Sequence, residues 1–234
     1  LTLLPDSGLF SYELGPDFDY FHGTAAHNTV LVNGQDQLEG AATAGLSTGG
    51  DDWSYQSGRH ELYPGVVHRR GVALIGRDLV AVVDLLEASQ SSEFVQLWHF
   101  APELDARIEA GTVIAAADVG DVVAIYQAGD GRTPVVGAGD DAAHPGWHSA
   151  SYEIKVPSAV AGYAEQGNTA RYLTLLAFGP AAQSEAAVFE AARSDGGLEL
   201  TICGPDTALT LAIDDLAGPS ESVRVAAADC EASR

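Results

Sequence analysis

The 234-residue sequence contains no methionine, a single lysine (Lys155) and only two cysteines, Cys203 and Cys230. Eleven basic residues against 33 acidic ones leave a net charge of −22. That balance excludes nucleic acid as a partner, because phosphate binding needs a basic surface. It also excludes steering of an anionic polymer by the global field of the chain. No apolar run approaches the roughly 20 residues of a membrane-spanning helix. A Gly-rich phosphate loop, a G-x-S-x-G elbow and a Cys-x-x-Cys pair are all missing, which removes the chemistries they serve. Lacking methionine and opening at Leu1 in an apparent strand, the sequence reads as a domain excised from a longer protein. The two cysteines fall in neighbouring C-terminal strands, where a disulfide requires Cα atoms within about 7 Å.

What the sequence does have is 26 glycines and many short apolar runs separated by turn residues. Thr29–Val32 is β-branched and ends in Asn33-Gly34, a strong turn signal. Val72–Ile75 and Leu79–Leu86 flank Gly76-Arg77-Asp78 as a hairpin, with Val80, Val82 and Asp84 on one face. Leu9–Leu14, Trp53–Ser57, Val66–Arg70 and Phe94–Phe100 read as further strands, and residues 40–50 and 129–146 as loops. A ladder of strand candidates continues to Val223–Ala226; within it, the alanine-rich stretch 181–192 invites a helix, but Val188, Glu190 and Ala192 alternate as in a strand at Ala187–Arg193. The pattern predicts an all-β fold, an antiparallel multi-stranded β-sandwich of packed sheets. We expect residues 1–180 to form its core and 181–234 to add C-terminal strands to the same domain.

Several residues stand out as candidates for chemistry. Asp6 lies in a Pro-Asp-Ser-Gly turn, where it bonds its own backbone or serves as a ligand. His27 and Asn28 open the His-Asn-Thr-Val strand. Tyr12 and Tyr20 flank the approach to it, Tyr20 within the irregular stretch Pro-Asp-Phe-Asp-Tyr-Phe-His that also holds His22. Alternation in Trp98-His99-Phe100 sends the two aromatic rings into the core and His99 to solvent or a cleft. His68 and Arg70 point the same way, a pair suited to a carboxylate or sulfate or simply to a solvated face. Trp147, in Gly-Trp-His-Ser ahead of Tyr152, presents an aromatic that packs locally or stacks on a sugar ring.

The stretch DSGLFSYELGPDFDYFHGTAAHNTVLVNGQDQ (6–37), with HRRGVALIGRDLVAVVD (68–84), LWHFAP (97–102) and GWHSASYEIKVP (146–157), resembles the C-terminal β-sheet domain of the heparinase II/III-like polysaccharide lyases. The resemblance runs from about Leu1 to about Pro180, and AAHNTV with its distance from Asp6 is its specific part. It implies a fragment of a larger protein, an N-terminal α/α toroid followed by the β-sandwich. It implies a divalent metal, zinc or calcium, with Asp6 and His27 as two ligands; a further histidine comes from a His-x-His-x-Asp segment that this sequence lacks. The implied reaction is β-elimination on a uronate-containing glycan such as heparan sulfate or alginate. In it a base removes the proton α to the carboxylate, and an acid protonates the leaving oxygen. The main catalytic base belongs to the toroid. Tyr20 and His27 are the catalytic candidates here, and Tyr12, His22, Asn28, Arg70, His99 and Trp147 the substrate contacts. An anionic polysaccharide and the toroid are the implied partners, in a periplasmic or secreted bacterial setting, and the isolated chain is expected to turn nothing over.

Two other readings compete. A non-catalytic carbohydrate-binding or structural sandwich predicts a buried, bonded His27 and an aromatic platform elsewhere, at Trp53, Tyr55 or Trp147. A self-contained metal-dependent hydrolase needs three ligands in this chain, such as His27 with two of His60, His68 and His99, whose spacing lacks an H-x-H cluster.

Overall fold

The computed structural model describes residues 2–117, 122–128, 133–141, 144–182, 188–194, 197–203 and 208–228. Among these, the strands in chain order are β1 (Val30–Val32), β2 (Thr43–Gly49), β3 (Trp53–Tyr63), β4 (Val66–Ile75), β5 (Leu79–His99), β6 (Asp105–Glu109), β7 (Thr112–Ala116), β8 (Val122–Gln127), β9 (Val135–Ala138), β10 (Trp147–Ser151), β11 (Ile154–Pro157), β12 (Ala159–Phe178), β13 (Val188–Ser194), β14 (Gly197–Cys203), β15 (Ala208–Asp214) and β16 (Ser222–Ala227). One α-helix, α1 (Pro16–His22), and two 3-10 turns, Thr24–Ala26 and Gly179–Ala181, complete the set. The strand pairs with a recorded register are all antiparallel, so the all-β antiparallel class read from the sequence holds. None of the described helices is long and apolar enough to cross a membrane.

The chain divides into two compact units. The first comprises Leu1–Glu39, Gln90–Val123 and Gly131–Asn168. Here β1 pairs with the end of β5, Val30 opposite Gln96, and β9 pairs with the start of β12, Val135 opposite Gly162. Val95, Leu97 and Val160 form a buried cluster onto which Leu31 packs. Asn33 and Gly34 both take positive φ, 51° and 64°, the geometry that the Asn-Gly signal predicts for a tight turn. The segment 9–14 forms no strand, contrary to the sequence reading. It is tied instead to the β10–β11 hairpin by bonds from Ser149 N to the Ser7 carbonyl (2.8 Å) and from Glu153 N to the Phe10 carbonyl (2.7 Å).

The second unit comprises Gly40–Ser89, Ala124–Asp130 and Thr169–Arg234. Residues 76–78 close the expected hairpin, Ile75 opposite Leu79 and Arg70 opposite Asp84. A separate sheet, β13 to β16, runs in sequence order. Its inward face follows period two: Leu198, Leu200 and Ile202 of β14 are buried, as are the opposing Leu211 and Ile213 of β15. Cys203 is disulfide-bonded; Cys230 lies outside the described residues. The strand expected at Ala187–Arg193 is Val188–Ser194.

Three further expectations are corrected. Residues 40–50 are not all loop, because Thr43–Gly49 pairs with β3 as an almost wholly exposed strand. The loop expected over 129–146 contains β9. The irregular stretch before His27 is a seven-residue helix with proline in its first turn and Phe21 buried, since proline's fixed φ suits a helix start.

Candidate functional site

In the first unit the Asp6 turn meets His27, just ahead of β1. Gly8 donates its N–H to Asp6 Oδ1 at 2.9 Å, closing an Asx-type turn. Gly8 has φ 84°, and a Cβ there would lie 2.0 Å from the Ser149 carbonyl oxygen, so only glycine lets the turn approach β10. The second oxygen, Asp6 Oδ2, accepts from His27 Nδ1 at 2.9 Å. A carboxylate only accepts, so neutral His27 carries its proton on Nδ1 and leaves the Nε2 lone pair free to accept. The pair is solvated, with side-chain exposures of 38% for His27 and 68% for Asp6. Asn28 lies underneath. Its Nδ2 donates to the Pro5 carbonyl at 3.2 Å and its Oδ1 accepts the His99 backbone N–H at 2.6 Å.

His99 faces neither solvent nor an open cleft, contrary to expectation, and is 2% exposed. Neither ring nitrogen has a hydrogen-bond partner among the described residues. Burial lowers its pKa to about 4, and His27 and His144 push the same way. The Ala25 backbone and Asp6 oppose the shift without reversing it.

Tyr20, on α1, uses its phenol on both sides. It donates to the Pro145 carbonyl at 3.2 Å and accepts from Trp147 N at 3.1 Å. Burial raises its pKa, partly offset by the Trp147 bond, so the phenol stays protonated at neutral pH. The Trp147 ring is occupied as well: Lys155 Nζ sits 4.4 Å from its centroid, Nε1 donates to Asp140 at 3.1 Å, and Lys155 is also paired with Asp17. His22 Nδ1 donates to the Phe18 carbonyl (2.9 Å) within its own helix, and its ring stacks on that of Phe18. Tyr12 and Tyr152 are the open aromatics, 72% and 52% exposed with ring centroids 6.2 Å apart. Thus Asp6, His27, Asn28 and His99 are brought together, Tyr20 and Trp147 form a second contact, and Tyr12 pairs with Tyr152. Sequence reasoning missed Lys155; a lone lysine between Ile154 and Val156 in a Trp-containing hairpin was its only signal.

Arg70 belongs to the second unit, and the carboxylate it holds is the protein's own. Its Nε and NH2 groups donate to Asp84 Oδ1 and Oδ2 at 2.6 and 2.8 Å. His68 Nε2 bonds Asp84 Oδ1 at 2.6 Å, and His68 Nδ1 meets His60 Nε2 at 3.1 Å. Leu62 N–H donates to His60 Nδ1 at 3.3 Å. One proton arrangement satisfies every member: Leu62 to His60, His60 to His68, and His68 to Asp84. Burial raises the Asp84 pKa, but Arg70 and His68 outweigh it and hold the carboxyl well below the ordinary range. Burial, with His68 and Arg70, lowers His60 to about 4.

Asp6 Oδ2 and His27 Nδ1 are ligand types for a divalent metal, which Nδ1 could take only after giving up the proton it shares with Asp6. Two ligand atoms of one tetrahedral zinc sit about 3.3 Å apart, given bonds near 2.0–2.1 Å, against the 2.9 Å of this pair. They amount to half a ligand set: among the described residues no group of three or more His, Cys, Asp or Glu is placed to hold an ion.

Among curated protein sequences none matches this chain. Solved structures do. Heparan sulfate lyase HepC from Pedobacter heparinus superposes with a TM-score of 0.73 at 14% identity, over 96% of this chain and 34% of that one. A heparinase III structure superposes with a TM-score of 0.74 at 17% identity, over 90% of this chain and 33% of that one. At such identities the likeness speaks for the fold, the β-sandwich portion of those proteins, and this chain spans about a third of their length. A family model described as heparinase II/III-like, C-terminal, matches residues 2–192. By that match the chain belongs to the heparinase II/III-like, C-terminal family.

Proposed function

We propose that this chain is the β-sheet portion of a polysaccharide lyase that cleaves uronate-containing glycans, of the heparan sulfate or alginate type, by β-elimination. The observation that carries the reading is the solvated Asp6–His27 pair at 2.9 Å in a chain of this family. In the reaction a base takes the proton α to the uronate carboxylate, the C4–O bond breaks as a C4–C5 double bond forms, and the leaving oxygen takes a proton. While no metal is held, His27, with Nδ1 committed to Asp6, offers Nε2 as a proton acceptor at the rim; as a metal ligand it would give up that role. Tyr20, kept protonated by burial, belongs on the donor side and fixes Trp147. Tyr12 and His22 supply sugar contacts, while Trp147 acts through the groups that already hold it. The main base is supplied by a toroid domain of the same protein, in a periplasmic or secreted setting. Zinc or calcium, with the imidazole donor favouring zinc, would be held by Asp6 and His27 together with ligands from outside this chain. It would supply fixed positive charge beside the site.

The test is the ultraviolet absorbance of the unsaturated product, with heparan sulfate and alginate as substrates and the full-length protein as enzyme. Cleavage of one of them, reduced at least ~10-fold by H27A, with no turnover by this chain alone, is the expected result. Failure to cleave any uronate polymer, or an unchanged rate in H27A, refutes it.

A second reading has its own observation. The paired exposed rings of Tyr12 and Tyr152 suit a non-catalytic glycan-binding face. Glycan binding abolished by Tyr12→Ala, without elimination in the full-length protein, selects it.

A further inference from the structure

An exposed pair such as Asp6–His27 does not hold itself in place, because solvated ion pairs contribute only about 0–1 kcal/mol. Something else must set the Asp6 turn against His27, 21 residues later in the chain and just ahead of β1. Asn28 is placed to do so. Its side-chain amide spans two backbone segments, donating to the carbonyl of Pro5, the residue before Asp6, and accepting from the backbone of His99. Both bonds are part-buried, and the one to His99 is short at 2.6 Å. The residue following His27 therefore clamps the turn that carries Asp6 and the strand end that carries the buried His99.

We propose that Asn28 is a positioning residue: its amide sets the Asp6–His27 geometry and the location of His99, and its place in the site is not to touch sugar. The proposal rests on the Asp6–His27 pair being the site argued above, but its geometry can be tested apart from any lyase activity. Asp6 accepts only from Nδ1 of His27, so the geometry is written in the tautomer of that ring. Loosening the Asp6 turn releases His27 toward its Nε2–H form.

The measurement is the ¹⁵N chemical shift of the His27 ring nitrogens in this chain, metal-free, at a pH where the imidazole is neutral. Wild type is expected in the Nδ1–H form. Asn28→Asp keeps the acceptor for His99 N–H and turns a carboxylate oxygen toward the Pro5 carbonyl, detaching the Asp6 turn alone. Asn28→Ala detaches both segments and adds no charge. Each variant is expected to change the His27 tautomer ratio about 5-fold, the equivalent of one lost hydrogen bond of ~1 kcal/mol. Asn33→Ala is the control. Asn33 likewise bonds backbone and side chain in the same unit, at Glu93 N and Ser92 Oγ, so its loss costs stability and leaves the His27 ring unchanged. Folded Asn28 variants with wild-type His27 shifts overturn the proposal, and so does an equal change in Asn33→Ala. A shifted tautomer in a protein whose full-length form cleaves no uronate polymer sinks the lyase reading and leaves the positioning role standing.

Discussion

Acid should weaken the second unit through His60, and substituting that one residue should separate its contribution. In the folded protein His60 holds its charge back from the ordinary 6.5 to about 4. The unfolded chain therefore binds a proton between those pH values that the folded chain refuses, and stability rises with pH across the window. Read downward, stability is fully present above about pH 6.5, declines toward pH 4, and then stays level for this group. At about 1.36 kcal/mol per pH unit the ceiling is roughly 3.4 kcal/mol. Because His60 is only half-buried, solvent screening reduces this to about 1–2 kcal/mol. Asp84 acts the same way but lower: its depressed pKa makes its stabilisation fall only below the ordinary carboxylate range. The perturbation is His60→Gln. A glutamine amide can donate to His68 Nδ1 as His60 Nε2 does, and it does not titrate, so the network keeps its direction while the proton site disappears. Urea unfolding from pH 7 to 4.5, followed by the fluorescence of Trp53 in the same unit, reads the effect. The variant should match wild type within about 0.5 kcal/mol at pH 7 and lose about 1–2 kcal/mol less on acidification. An identical acid slope in the two proteins refutes the reasoning, as does a His60 NMR titration with its midpoint near 6.5. His99, also lowered to about 4, supplies a residual slope in both proteins.

Two further outcomes are expected. Gly8→Ala places a Cβ 2.0 Å from the Ser149 carbonyl at φ 84° and should cost at least ~2 kcal/mol by combined strain and displacement; urea unfolding followed by Trp147 fluorescence checks it, and a loss below 0.5 kcal/mol contradicts the close approach. Glu221 accepts from Tyr55 Oη (2.7 Å), Ser57 Oγ (2.6 Å) and Leu46 N (3.0 Å), so Glu221→Ala leaves the buried Tyr55 hydroxyl short of an acceptor and should cost about 2–3 kcal/mol, with Glu221→Gln restoring about half.

How much of this was legible in the sequence depended on whether the deciding interaction is local. The Asn33-Gly34 turn and the 76–78 hairpin were readable because their φ values are demands that neighbouring residues impose. β2 was not, since its small exposed residues carry no apolar period; pairing with β3 makes it a strand. α1 is too short for a period to show, and only its leading proline hinted at it. Alternation placed His68 and Arg70 on one face, yet left their partner unnamed. The partner was within reach. A hairpin that sets Ile75 opposite Leu79 also sets Arg70 opposite Asp84, so the carboxylate held by that arginine was fixed once the turn was accepted. His60 was hidden by an irregularity in the β3–β4 register between His60 and Tyr63, which breaks simple counting from the turn. His99 shows the opposite limit. Period two assigned its face, but what covers that face comes from segments distant in sequence, among them the stretch around Ala25 and the Asn28 amide. The same holds at Asp6 and His27: residue types and motif suggested a joint role, and only the Asx-type turn, the glycine that admits it and the Asn28 clamp explain why an exposed carboxylate and imidazole, weakly attracted in water, stand 2.9 Å apart.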